Sequence, residues 1–117
     1  ESTVGINGES PTTTASDIAL FFEKLYKGVL GNQDYTNQMI DLLKKQQLNN
    51  KLPKNLPQGV IIAHKTGELG YFSHDGGIVF STKGDYIIVV LSKSDIPAGA
   101  EDRIAQISKN VYEYFEK

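Results

Sequence analysis

Three stretches decide the fold: Val60-Ile61-Ile62-Ala63-His64-Lys65-Thr66-Gly67, Gly76-Gly77-Ile78-Val79-Phe80-Ser81-Thr82, and Tyr86-Ile87-Ile88-Val89-Val90-Leu91. Each is rich in β-branched residues and too short for a typical helix, so residues 60–66, 76–82 and 86–93 are expected to be strands. Lys83-Gly84-Asp85 reads as a tight turn between the last two. Parallel neighbours need a crossover of about a dozen residues or more, and both connections here are shorter. The three strands therefore form an antiparallel meander.

Toward the N-terminus the period changes. Ile18, Phe21, Phe22, Leu25 and Val29 recur at helical spacing, with Thr14 and Asp17 as a capping pair and Gly28 and Gly31 as stops. A second helix over 36–47 carries Met39, Ile40, Leu42 and Leu43. Asn49 and Asn50 break it, and Pro53 and Pro57 make the next segment an extended connector. Residues 1–13 read as loop, punctuated by Gly5, Asn7, Gly8 and Pro11. Beyond the sheet, a helix over 100–115 presents Ile104, Ile107, Val111, Tyr114 and Phe115 for packing.

The expected class is thus α/β in the α+β sense: two helices, a three-stranded antiparallel meander and a C-terminal helix. Residues 1–50 supply the helical part and 51–117 the sheet-plus-helix part. Residues 86–91 are apolar on both faces, as in a strand buried on two sides, yet this is the last strand of the meander. A bare strand edge templates aggregation, so another part of the native chain or another copy must cover it. Self-association through 86–91 is one expectation.

Leu, Ile, Val and Phe number 33 of 117 residues, above the roughly 20% below which disorder is expected. Net charge is −2, the pI is near 5.6 and Arg103 is the single arginine, so no nucleic-acid or membrane-surface footprint is present. Without cysteine there is no thiol catalysis, disulfide or thiolate metal site. The longest apolar run is far shorter than the ~20 residues that span a bilayer. No signal peptide opens the chain, because residues 1–14 are polar and rich in Gly and Thr.

The chemistry is concentrated at His64-Lys65-Thr66-Gly67, at the end of the first strand. An ammonium and a hydroxyl there can hold a substrate carboxylate. Gly67, lacking a Cβ, lets a substrate backbone lie along the strand. Lys-Thr-Gly closing a strand is the third motif of penicillin-recognising serine hydrolases. Thr13-Thr14-Ala15-Ser16-Asp17, Leu56-Pro57-Gln58-Gly59 and Lys65-Thr66-Gly67 fall in family order, followed by two strands and an amphipathic helix. The chain resembles the class A serine β-lactamase-like family over nearly its whole length, but only the C-terminal portion of that fold. His74-Asp75-Gly76-Gly77-Ile78-Val79 is similar to the family's penicillin-binding-like members.

The resemblance implies that Lys65, Thr66 and Gly67 bind a β-lactam or cell-wall peptide, and that Lys65 is catalytic. It also implies that the backbone N–H of Glu68 is one oxyanion-hole donor. No Ser in the chain has a Lys three positions later, and neither Ser16-Asp17 nor Ser94-Asp95 continues to Asn. The nucleophile is thus expected in a preceding N-terminal half of the same domain, leaving this chain inert alone. If Ile6-Asn7 matches the family's Leu-Asn, Thr3 stands where its loop Glu activates the deacylating water. Asp75 and Gly76 stand near where many members carry an Arg for the substrate carboxylate. Export to the cell surface or periplasm is implied as well.

The leading function is a serine hydrolase acting through an acyl-enzyme. The alternatives are a penicillin-binding or sensor-like domain with little turnover, and a non-catalytic interaction scaffold. His64, His74, Asp75 and Glu68 would suit Zn²⁺ by type, but no tight ligand spacing supports it and His–Asp hydrogen bonding accounts for them. No metal and no cofactor are expected. Tyr35-Thr36-Asn37 reads as a helix start, Phe21, Phe22 and Tyr26 as core, and Lys44 and Lys45 as a solvated face.

Overall fold

The computed structural model describes residues 3–4, 13–69, 72–93 and 97–117, with side chains for 15–67, 73–92 and 99–117. Two short strands, β1 (Thr3–Val4) and β2 (Thr13–Thr14), pair antiparallel before helix α1 (Ala15–Lys27) and helix α2 (Gln33–Lys44). Strands β3 (Ile61–Leu69), β4 (Phe72–Ser81) and β5 (Gly84–Lys93) form an antiparallel sheet in that order, and α3 (Pro97–Phe115) closes the chain. The expected class and meander are observed. The stretch read as loop instead carries β1 and β2, whose two-residue length leaves no alternation to detect.

Side chains alternate across the sheet, and each face has its own core. On one face Ile62, Val79, Tyr86 and Ile88 pack with Leu52 of the connector and Ile104 of α3. On the other, Ile78 packs with Phe22 and Leu25 of α1, and Ile87, Val89, Met39, Ile40 and Leu43 surround them. The sheet is therefore sandwiched between α1 and α2 on one side and α3 on the other. Leu25, with no exposed surface, contributes about 1.5–3 kcal/mol by burial. Strand β5 is apolar on both faces because both are covered, yet it lies at the sheet edge among the described residues.

Local chemistry sets the helix ends. Gly28 adopts φ +74°, its N–H bonding Leu25 O and that of Val29 bonding Lys24 O, both at 3.1 Å. This doubly bonded, glycine-dependent stop ends α1 at Lys27. Helix α2 starts three residues before the expected position because Asn32 caps it, its Oδ1 accepting from Tyr35 N–H at 2.8 Å. Several expected core residues are exposed: Phe21, Tyr26, Val29, Leu42, Ile107, Tyr114 and Phe115. Buried Thr36 shares the α2 stripe, leaving Leu42 outside it, and on α3 Tyr112 packs where Tyr114 was expected. Phe115 does stack on Tyr86, at 4.4 Å between ring centres.

Both β3 and β4 extend toward the 69–72 connection beyond their expected limits, pairing through Glu68↔Ser73 and Leu69↔Phe72. That polar segment has no apolar alternation; the neighbouring backbone makes it a strand. The β4–β5 turn is tighter than the expected Lys83-Gly84-Asp85, with Ser81 opposite Gly84 and only Thr82 and Lys83 between. No helix among the described residues is long and apolar enough to cross a membrane.

Candidate active site at the end of strand β3

Strand β3 is the other edge of the sheet, so Lys65, Thr66, Gly67 and Glu68 lie along an edge with no strand beside it among the described residues. Alternation sends Lys65 toward the α1 face and Thr66 toward the connector face. Lys65 is exposed, its Nζ donating to Thr66 O at 2.7 Å, whereas Thr66 is buried. A hollow of about 240 Å³ opens on the α1 side against Lys65, Gly67 and His74, walled by Ile18, Phe21 and Val89. A second, of about 260 Å³, opens between Lys65, Thr66, Lys51, Asn50 and Glu101. The strand end thus separates an apolar recess from a polar one, with Lys65 bordering both.

Four contacts, one buried and three part-buried, latch the connector to this strand end. His64 and Asp75 are each 1% exposed, with His64 Nδ1 2.9 Å from Asp75 Oδ1. Asp75 Oδ2 accepts from Leu52 N–H at 3.1 Å, and Asn49 Oδ1 lies 3.2 Å from His64 Nε2. The Lys51 ammonium donates to Gly67 O at 3.3 Å and to His74 O at 3.2 Å. A carboxylate at Asp75 gives both a buried imidazole and a buried peptide N–H a partner, which neither could forgo cheaply.

The Lys51 contacts also define the backbone at the motif. Gly67 and His74 are register partners, and one ammonium reaches both carbonyls, so both point into the β3–β4 ladder. Among the described residues no peptide is cis, so the N–H of Glu68 points opposite to the Gly67 carbonyl. It therefore faces the open edge of β3, beside Thr66. The Glu68 side chain lies outside the described residues.

Gly67 has one close neighbour, the His74 side chain. A Cβ there would stand 2.8 Å from His74 Cδ2, so the imidazole across the ladder covers the face where substrate backbone was expected to need the space. At Gly76 a Cβ would meet Val89, Ile18 and Phe22 at 3.2–3.4 Å, so α1 packs close against this position.

The four-residue metal reading does not assemble. His64 and Asp75 point to the connector face, while His74, partner of Gly67, points to the α1 face. Among the described residues no group of three or more His, Cys, Asp or Glu could hold a metal ion. Tyr35-Thr36-Asn37 lies at the start of α2, where the Tyr35 N–H is bound by the cap residue Asn32. Lys44 is not merely solvated; its Nζ sits 4.7 Å above the Phe80 ring. The backbone of Thr3 pairs with Thr14, while its side chain and the Ile6-Asn7 register lie outside the described residues. Sequence reading missed Asn49 and Lys51 as site neighbours, because an isolated lysine between Asn50 and Pro53 carries no periodic or motif signal.

Strand β3 thus carries Lys65, Thr66 and Gly67 along an open edge, with α-helices packed on both faces of the sheet. The sequence model of the β-lactamase enzyme family (Beta-lactamase2) matches residues 1–115, and the chain belongs to that family. Among solved structures it is similar to PBP-A, at 29% identity and a TM-score of 0.80, covering 92% of this chain and 41% of that one. A mutant of PBP-A captured as an acyl-enzyme complex with penicillin G matches at 30% identity and 0.81, covering 97% and 46%. A class A β-lactamase from Bacteroides cellulosilyticus DSM 14838 matches at 27% and 0.78, covering 87% and 41%. The chain thus spans less than half the length of these structures. No match is found among curated proteins.

Proposed function

We propose that this chain supplies the substrate-binding strand of a serine hydrolase of β-lactamase type, acting on β-lactams or cell-wall peptides. The open edge of β3, with the Lys65 charge beside an outward Glu68 N–H, carries the reading. Lys65 and Thr66 hold the substrate carboxylate, and the substrate lies along the open edge of the strand. The Glu68 N–H receives the developing oxyanion, a contact worth about 3–4 kcal/mol in the transition state. The nucleophilic Ser comes from part of the same protein outside these 117 residues. Its oxygen adds to the lactam carbonyl, the C–N bond breaks, the ring nitrogen takes up a proton, and an ester remains for water to hydrolyse. The same resemblance supports export to the cell surface or periplasm.

A second reading, slow or negligible deacylation, is favoured by the likeness to PBP-A and by Thr3 at the position expected for the water-activating Glu. Intact-mass analysis of the complete protein with benzylpenicillin tests both. An adduct that forms and decays supports a hydrolase, and one that persists supports the binder. Absence of any adduct refutes acyl-enzyme chemistry and leaves a non-catalytic homologue.

A further inference from the structure

Lys51 is a buried charge that the reading above leaves without a role. Its side chain is 1% exposed, and its ammonium grips the carbonyls of Gly67 and His74, one on each strand. Holding a charge away from water is costly, and packing alone would be served as well by an apolar side chain of similar volume. The peptide that Lys51 grips is the one whose far side is the Glu68 N–H. We propose that Lys51 is a positioning residue that polarises the Gly67–Glu68 peptide from behind, strengthening the Glu68 N–H as an oxyanion donor. The proposal rests on the assignment of that N–H to the oxyanion hole.

Three features support it. A carbonyl oxygen has two lone pairs, so Gly67 O can accept from Lys51 while remaining in the ladder. A donor on the carbonyl draws electron density from the amide and makes its N–H a stronger donor, an effect that low local dielectric enlarges. The ammonium is also held in place: two residues before it, Asn49 meets His64, and one residue after it, the Leu52 N–H is bound by Asp75. The same grip on both strands fixes the plane of the peptide, and hence the direction of its N–H.

The test uses the complete protein and the variants Lys51→Arg, Lys51→Gln and Lys51→Met. A whole oxyanion donor is worth about 10²–10³ in rate, so loss of polarisation should slow acylation by penicillin about tenfold. Lys51→Arg should stay within about threefold, whereas Lys51→Gln, a neutral donor, should resemble Lys51→Met. Two spectroscopic readouts separate polarisation from packing. The ¹⁵N and ¹H shifts of the Glu68 amide should move upfield when the charge is removed, with the rest of the spectrum folded. The acyl-ester carbonyl band should move to higher wavenumber, because its oxyanion-hole bond is weaker. If Lys51→Met fails to fold, Lys51→Gln decides. A charge-free variant that leaves the Glu68 amide shifts and the acylation rate unchanged overturns the proposal while the acyl-enzyme reading stands. No adduct on the wild type overturns both.

Discussion

Replacing Asp75 by alanine removes the acceptor on which two buried donors depend. The carboxylate binds His64 Nδ1 at 2.9 Å and Leu52 N–H at 3.1 Å, and Asp75 and His64 are each 1% exposed. Each buried donor left without a partner costs about 1–3 kcal/mol. For two such donors the cost is about 2–6 kcal/mol. Against a total stability of about 5–15 kcal/mol, Asp75→Ala should leave the chain marginal at ambient temperature. Asp75→Asn keeps an acceptor for Leu52 and can donate to the imidazole if the ring proton moves to Nε2, facing Asn49. That variant should cost about 1 kcal/mol, the value of a typical hydrogen bond. Urea denaturation followed by circular dichroism measures both, and a His64→Ala, Asp75→Ala double-mutant cycle isolates the pair. An Asp75→Ala cost below about 1 kcal/mol would refute the reasoning, since it lies under the penalty for even one orphaned donor.

Other outcomes follow from single contacts. Burial holds the Tyr86 hydroxyl neutral and pushes its pKa up to about 12, from 10.0 for a free side chain, with Tyr112 and Glu116 adding to the shift. Because the folded value is the higher one, its contribution is present below pH 10 and is lost as pH rises toward 12. The Tyr86 hydroxyl has no hydrogen-bond partner. Tyr86→Phe should therefore keep or raise neutral-pH stability and flatten the alkaline decline in urea titrations; an unchanged decline would rule Tyr86 out as its source. Gly67→Ala should destabilise through the 2.8 Å approach of its Cβ to His74, and His74→Ala in the same chain should recover most of the loss. Non-additive melting temperatures would show this, and strict additivity would contradict it. The outer edge of β5 should make this chain self-associate, so light scattering at rising concentration should give masses above 12.9 kDa. A monodisperse monomer throughout would count against that edge as an interface.

The strand triplet, the two early helices and the terminal helix were legible because burial repeats along a chain with period 2.0 or 3.6. Lys65-Thr66-Gly67 stood out in the sequence because it falls in family order within one of those strands. Helix faces were read less well: Leu42, Ile107 and Tyr114 are apolar and close to the right phase, yet lie outside the stripes that Met39, Ile104 and Tyr112 bury. Which member of an apolar pair packs depends on how the helix is rotated against the sheet, and that rotation is set by its partners.

The sequence by itself determined the order and kind of the three helices and the three long strands, and the strand that carries the motif. Those are properties of short segments, set by local period, turn residues and composition. Only the tertiary structure decided that Asn49, Lys51 and Leu52 reach across to His64, Gly67, His74 and Asp75, and that the Glu68 N–H faces the open edge. Such contacts join residues 15 to 23 positions apart, and each depends on register, on the face of the strand and on the path of the connector. A buried lysine has no local signature, because its partners are backbone carbonyls that every residue possesses.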